Sequence, residues 1–303
     1  MTVDTSARPR DFDTYWDALD EDLARYPAAP ELEPLPLRST DFATVYALRL
    51  TSLGPYRIFG YYSVPTGNGP CPGLLLTPRY GSVNHVPDYH DRRRYAVLQL
   101  MHRGQRLADQ PFAAAYPGLL THGIDDPAAY IYRGIVADCL RAAEFLLSRE
   151  EVDKNRVGII GDDLALITAA RRPHFIAVQA AGLTFYRLME ARQRTDAYPI
   201  EELNDHLRAY PDRQDAVART LALFDPLHHV SQIATALAAP LLSVGDPGSL
   251  SGPEWLQPLM SALGEGVERY TLTHEGGTDQ DLLDAWMANK LGVEPRSRFW
   301  SSV

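Results

Sequence analysis

The stretch Arg156-Val157-Gly158-Ile159-Ile160-Gly161-Asp162-Asp163-Leu164-Ala165 decides how the rest of the chain is read. Val157 to Ile160 form a short apolar run, the pattern of a strand buried on both faces. Gly161 provides a tight turn, and a short helical stretch follows, ending before Pro173. The side chain at Asp163 therefore sits where a strand gives way to a helix. Gly161 and Ala165 flank it, in a small-x-Asp-x-small arrangement that a sharp turn requires.

Upstream, Phe12, Tyr15, Trp16, Leu19 and Leu23 fall at helical spacing within residues 11–26, and a Pro-rich connector runs from Pro27 to Pro36. Val45–Leu50 and Tyr56–Tyr62 read as strands joined at Gly54-Pro55. Thereafter strands and helices alternate, the signature of a mostly parallel sheet. Strands are expected at Gly73–Thr77, Tyr95–Leu100, Arg156–Ile160, Phe175–Ala180, Pro240–Val244 and Val267–Leu272. Helices are expected at Ala128–Ser148 and Asp279–Leu291. A charged, helical stretch at 183–233 interrupts the alternation and suits a cap over the carboxyl edge of the sheet, where open α/β sheets bind ligands.

With 303 residues, 45% of them hydrophobic and 22% charged, the chain has the composition of a globular protein and the length of one α/β domain, which we assign to 1–303. A net charge of −10 argues against nucleic acid or an anionic membrane as partner. Cys71 and Cys139 form no C-x-x-C pair and are too few for a disulfide framework. They read as reduced thiols. No basic-then-apolar leader opens the sequence, and no apolar run approaches the roughly 20 residues of a membrane span. The cytoplasm is the expected location.

A strand, tight turn and helix carrying one chemical side chain is where α/β-hydrolases hold their nucleophile, normally Ser in G-x-S-x-G. The wider sequence resembles carbohydrate esterase family 7, the acetyl xylan esterases and cephalosporin C deacetylases. The resemblance rests on Asp11-Phe12-Asp13-Thr14-Tyr15-Trp16, on Arg103-Gly104-Gln105 (R-G-Q), and on Gly118–Arg133. Thr220–Asp225, like T-L-x-Y-F-D, and His274-Glu275 (H-E) complete it. It implies an α/β-hydrolase fold with an N-terminal helical extension and a helical cap, a homo-oligomer, and an acetylated sugar or similar ester as small-molecule substrate. No cofactor is expected, and no metal, since no strong ligand spacing appears. Departures gather around the chemistry. Asp163 stands in the Ser slot, the Gln-Gly-Gly that follows it in the family is missing, and the helix after it is short. Arg79-Tyr80-Gly81-Ser82 has lost a glycine of the family's turn, and Pro247–Pro253 replaces its acid loop.

Nucleophile, acid and histidine follow in that order as Asp163, Asp246 and His274. Asp246 would hold the His274 imidazole in one tautomer. The resemblance implies an oxyanion hole from the backbone N–H groups of Leu164 and Tyr80, although Tyr80 reads equally well as an aromatic covering the core. Three functions follow: an esterase homologue that has lost hydrolysis and binds a ligand; an Asp-nucleophile hydrolase of dehalogenase or epoxide-hydrolase type; or altered ester hydrolysis. An Asp is a poor substitute for Ser, because its attack on an ester gives a mixed anhydride and its charge repels an oxyanion. Asp162 is expected to face away from Asp163; were both buried together, one pKa would rise. Arg103 is expected in a structural ion pair. His85, Asp88 and His90 read as a solvated loop rather than a metal site, His228-His229 as a turn pair, and Arg92–Arg94 as a solvated face.

Overall fold

The computed structural model describes residues 7–67, 69–81, 85–235, 239–244, 250, 252–273 and 277–296. Helix α1 (Phe12–Ala24) opens the chain and buries Phe12, Trp16, Leu19 and Leu23. Each such side chain contributes about 2 kcal/mol of burial. The indole of Trp16 also donates to the Leu223 carbonyl at 3.1 Å. Strands β1 (Glu31–Pro34), β2 (Ala43–Thr51), β3 (Arg57–Pro65) and β4 (Cys71–Leu76) follow. Next come α2 (Tyr89–Arg94), β5 (Ala96–Leu100), α3 (Ile131–Ser148), β6 (Val152–Gly161), α4 (Asp163–Arg171) and β7 (Ala177–Ala181). Helices α5 (Leu188–Ala191), α6 (Ile200–Ala209), α7 (Gln214–Phe224) and α8 (Ser231–Thr235) fill the expected insertion. The order closes with β8 (Ala239–Val244), α9 (Pro253–Leu263), β9 (Glu268–Thr271) and α10 (Gly277–Leu291).

All nine strands form one sheet in the order β1-β2-β3-β5-β4-β6-β7-β8-β9. The first three strands, and β3 against β5, pair antiparallel; from β5 to β9 every pairing is parallel. The carboxyl ends of β4, β6, β7, β8 and β9 therefore face one edge, and the fold is that of an α/β-hydrolase. One face of the sheet packs on the large core with α1, α3 and α4; a smaller core on the other face joins Leu74, Tyr95, Val97 and Ala177 to Met287 and Leu291 of α10.

Four local expectations are corrected. The Pro-rich connector contains an edge strand, β1, which pairs with β2 from Glu31↔Arg49 to Pro34↔Tyr46; an edge position tolerates proline because one side needs no donor. The helix expected from Ala128 begins at Ile131, since residues up to Tyr130 are used in turns. The loop around His90 is instead α2, capped by the Asp88 carboxylate, which accepts from His90 N–H at 2.8 Å. Arg94 on that helix is not a free solvated charge: it is tied to Asp91 and Asp284. His228 and His229 do lie at a turn, but both are buried, with the His229 ring 4.7 Å from Phe12 and 5.0 Å from Trp16. Burial takes the His229 imidazole down to about 3 and keeps it neutral.

Candidate active site

Strand β6 ends at Gly161 because nothing larger fits. A Cβ there would stand 1.8 Å from Thr77 Oγ1, beyond the end of β4. Its φ is not in the left-handed region, so the glycine answers a demand for space and not for backbone freedom. Asp162 then caps α4: its Oδ1 accepts from Leu164 N–H at 2.9 Å. Asp163 is the first residue of the helix proper.

This placement differs from a nucleophile elbow. In α/β-hydrolases the nucleophile occupies a strained strand-to-helix turn that lifts its reactive atom clear. Among the described non-glycine residues only Ala29, Leu107 and Arg187 have positive φ, and Asp163 is not one of them. Its side chain is 1% exposed and turned inward. Oδ2 accepts from Thr184 N–H at 2.5 Å and Phe185 N–H at 3.1 Å, both just past β7. Oδ1 is buried with no hydrogen-bond partner among the described residues.

Burial, reinforced by repulsion from Asp162, holds the Asp163 carboxyl well above the ordinary carboxylate range, against the opposing pull of its two backbone donors. Burial likewise pushes Asp162 up to about 6, countered by the Leu164 N–H and by the charge of Arg79. Asp162 thus does not simply turn away; it is engaged at the helix N-terminus. Two adjacent carboxyls in so desolvated a place oppose each other's ionisation.

Asp225, which enters the sequence only as the end of the Thr220–Asp225 motif, is a second buried carboxyl beside this segment. Its Oδ2 accepts from Arg187 N–H at 3.0 Å and its Oδ1 from Leu227 N–H at 2.9 Å. Burial raises it to about 6, and its charge contributes to the rise at Asp163. Asp163 and Asp225 therefore hold opposite ends of the segment 184–187, which leads from β7 into the cap. Arg187 takes left-handed φ of 49° at its far end.

Of the two backbone groups expected in an oxyanion hole, the Leu164 N–H is already donated to Asp162. The Tyr80 side chain is enclosed by Tyr116 and Tyr198, with ring centroids 5.3 and 5.5 Å away. Its hydroxyl donates to Glu202 Oε1 of α6, and Glu202 Oε2 accepts from Leu120 N–H at 3.1 Å. Glu202 is buried, and nothing in the sequence reading singled it out. The R-G-Q arginine behaves as expected: Arg103 forms a buried two-pronged pair with Asp138 at 2.9 and 2.6 Å, its guanidinium 4.3 Å from the Tyr56 ring centroid. Neighbouring His102 is buried, and desolvation takes it down to about 4.

Asp246 and His274 lie outside the described residues. The strands that lead to them, β8 and β9, run parallel to β6, so their carboxyl ends share its edge. Among the described residues no three His, Cys, Asp or Glu side chains gather to hold a metal ion, and no helix is long and apolar enough to cross a membrane.

The same fold is found in solved structures. The acetyl xylan esterase of Paenibacillus sp. R4 superposes with a TM-score of 0.80 at 23% identity, over 97% of this chain and 100% of that one. Acetyl xylan esterase 1 of Thermoanaerobacterium sp. JW/SL YS485 gives 0.78 at 22% identity, over 93% and 94%. The acetyl esterase Axe7A of Xylanibacter ruminicola is 26% identical over 189 residues, 57% of this chain but only 43% of that longer protein. The sequence model of the family described as acetyl xylan esterase (AXE1) matches residues 3–246, and by that match the chain belongs to the acetyl xylan esterase family.

Proposed function

We propose that this chain is a ligand-binding member of the acetyl xylan esterase family that has given up ester hydrolysis, with Asp163 replacing a nucleophilic Ser by a structural clamp. One observation carries the reading: Asp163 Oδ2 accepts two backbone N–H groups from 184–185 while the residue sits in unstrained helical backbone. A carboxyl so buried is held neutral, and a neutral carboxyl is no nucleophile. Asp162 adds to this. Its carboxylate already takes the Leu164 N–H, the donor that an active hydrolase offers to the developing oxyanion. The ligand class in this reading is a small neutral molecule such as an acetylated sugar or similar ester.

The Asp-nucleophile reading has one point in its favour, since Asp163 Oδ1 has no partner. Against it, that atom is buried in a residue only 1% exposed.

Hydrolysis of p-nitrophenyl acetate tests the proposal. Wild type should match the spontaneous rate. Turnover by wild type that disappears in His274→Ala would overturn it, and halide release from a haloalkane panel would favour the Asp nucleophile. The double variant Asp162→Gly/Asp163→Ser should exceed Asp163→Ser alone, because only the double variant frees the Leu164 N–H.

A further inference from the structure

A cavity of about 490 Å³ opens between the sheet and the helices α2 and α10, the opposite side from α4. It reaches the carboxyl ends of β4, β6 and β7, and its volume lies within the range of small-molecule sites. Ile160 and Met287 give it apolar walls.

Its floor is unusual. Gln179 is the one polar residue of β7, paired in register with Ile160 and Leu241. It is 6% exposed, it lines the cavity, and its Oε1 has no hydrogen-bond partner among the described residues. Tyr95 lines the same cavity, is 1% exposed, and its hydroxyl is likewise unpartnered. Buried polar atoms are nearly always satisfied, so two orphans in one cavity call for an occupant. The carboxylates nearby are committed elsewhere: Asp91 and Asp284 engage Arg94, Asp88 caps α2, and Asp279 accepts from Tyr270 and Thr273; Arg296 engages Asp281, while Arg79 also lines the cavity. The unmet demand is neutral. An amide oxygen needs a donor, and a phenol hydroxyl gives or takes one hydrogen bond. A hydroxyl group supplies both roles, and the volume far exceeds the roughly 30 Å³ of a single water.

We propose that this cavity between the sheet and helices α2 and α10 is a binding site for a neutral, hydroxyl-rich small molecule, anchored on Gln179 Oε1 and the Tyr95 hydroxyl. The inference rests on the ligand-binding half of the proposed function and not on the loss of hydrolysis.

Saturation-transfer NMR on the full chain tests it, with glycerol, D-glucose and D-xylose as probes and acetate and choline as charged comparators. At least one neutral probe should bind, and Gln179→Leu and Tyr95→Phe should each weaken it about tenfold, the effect of one lost hydrogen bond. Tyr95→Phe removes a single oxygen and keeps the packing, so it remains informative if Gln179→Leu fails to fold. The proposal is overturned if no neutral probe binds, if only acetate or choline does, or if Tyr95→Phe binds as wild type does. An esterase assay is unaffected by any of these results, so the two proposals fail separately.

Discussion

At Asp163 a single carboxyl meets two opposing demands. Its Oδ2 satisfies the buried N–H groups of Thr184 and Phe185, which favours charge; its Oδ1 faces protein without a donor, and Asp162 lies beside it, which oppose charge. The second set wins, and a stability effect of definite sign follows. Below about pH 4 the folded and unfolded chains both hold the proton, and the group contributes fully. As pH rises past that point the unfolded chain releases it while the folded chain keeps it. Stability then falls by about 1.4 kcal/mol per pH unit, until the folded carboxyl itself ionises. Asp163→Asn cannot titrate, so its stability relative to wild type should improve as pH rises above about 4, until the folded carboxyl ionises. Urea unfolding at several pH values measures this, and parallel stability curves for the two proteins would refute the neutral carboxyl. Asp163→Ala strands two buried donors and should cost on the order of 2–4 kcal/mol throughout. An alanine variant as stable as wild type would show that no clamp exists.

The β6–α4 junction shows what an element takes from its neighbours. β6 was legible in the sequence because Val157 to Ile160 form an apolar run bounded by glycine, and α4 because a helical stretch follows the Gly161 turn. Which of the two aspartates caps the helix was not legible. Either suits an N-cap chemically, and the choice depends on Thr184 and Phe185 reaching Asp163 from 21 and 22 residues away. β1 was missed for a different reason: prolines speak against a strand locally, and only the β2 edge beside it overrides them. The junction itself makes a sharp demand. Gly161→Ala drives a methyl group to within 1.8 Å of Thr77 Oγ1 and 3.2 Å of the Ala165 Cβ. Overpacking of this kind should cost about 2–3 kcal/mol. Because the worst contact is one hydroxyl, Thr77→Ala should recover a substantial part of that loss in the double variant. A thermal-unfolding double-mutant cycle reports the coupling; strict additivity would mean that the clash lies elsewhere.

Across the whole molecule, the alternation of strands and helices made the sheet and its capped carboxyl edge readable, whereas the ties between cap and sheet were invisible. Such ties join residues far apart in the chain, and no periodic pattern marks them. Asp225 appeared in the sequence only as the end of a resemblance, yet it fixes Arg187 across 38 residues. Glu202 is the more consequential case. It sits on α6 within the cap and joins it to two distant places, the Tyr80 hydroxyl 122 residues away and the Leu120 N–H 82 residues away. Tyr198 adds a hydroxyl contact to Tyr80 at 3.3 Å, so the turn after β4 and the cap share one polar cluster. The cluster is anchored on the buried Glu202, and a buried polar group is costly to leave unpaired when one member is removed. Glu202→Leu leaves the Leu120 N–H and the Tyr80 hydroxyl without acceptors, at a cost of about 2–3 kcal/mol. Glu202→Gln keeps an oxygen for one of them and should lose about half as much. The loss should be regional, because the large core beneath does not depend on Glu202. Hydrogen exchange should therefore quicken in 200–209 and 119–122 while the amides of β6 and α3 keep their protection. If exchange quickens uniformly through the molecule, or not at all, Glu202 is not what fastens the cap to the sheet.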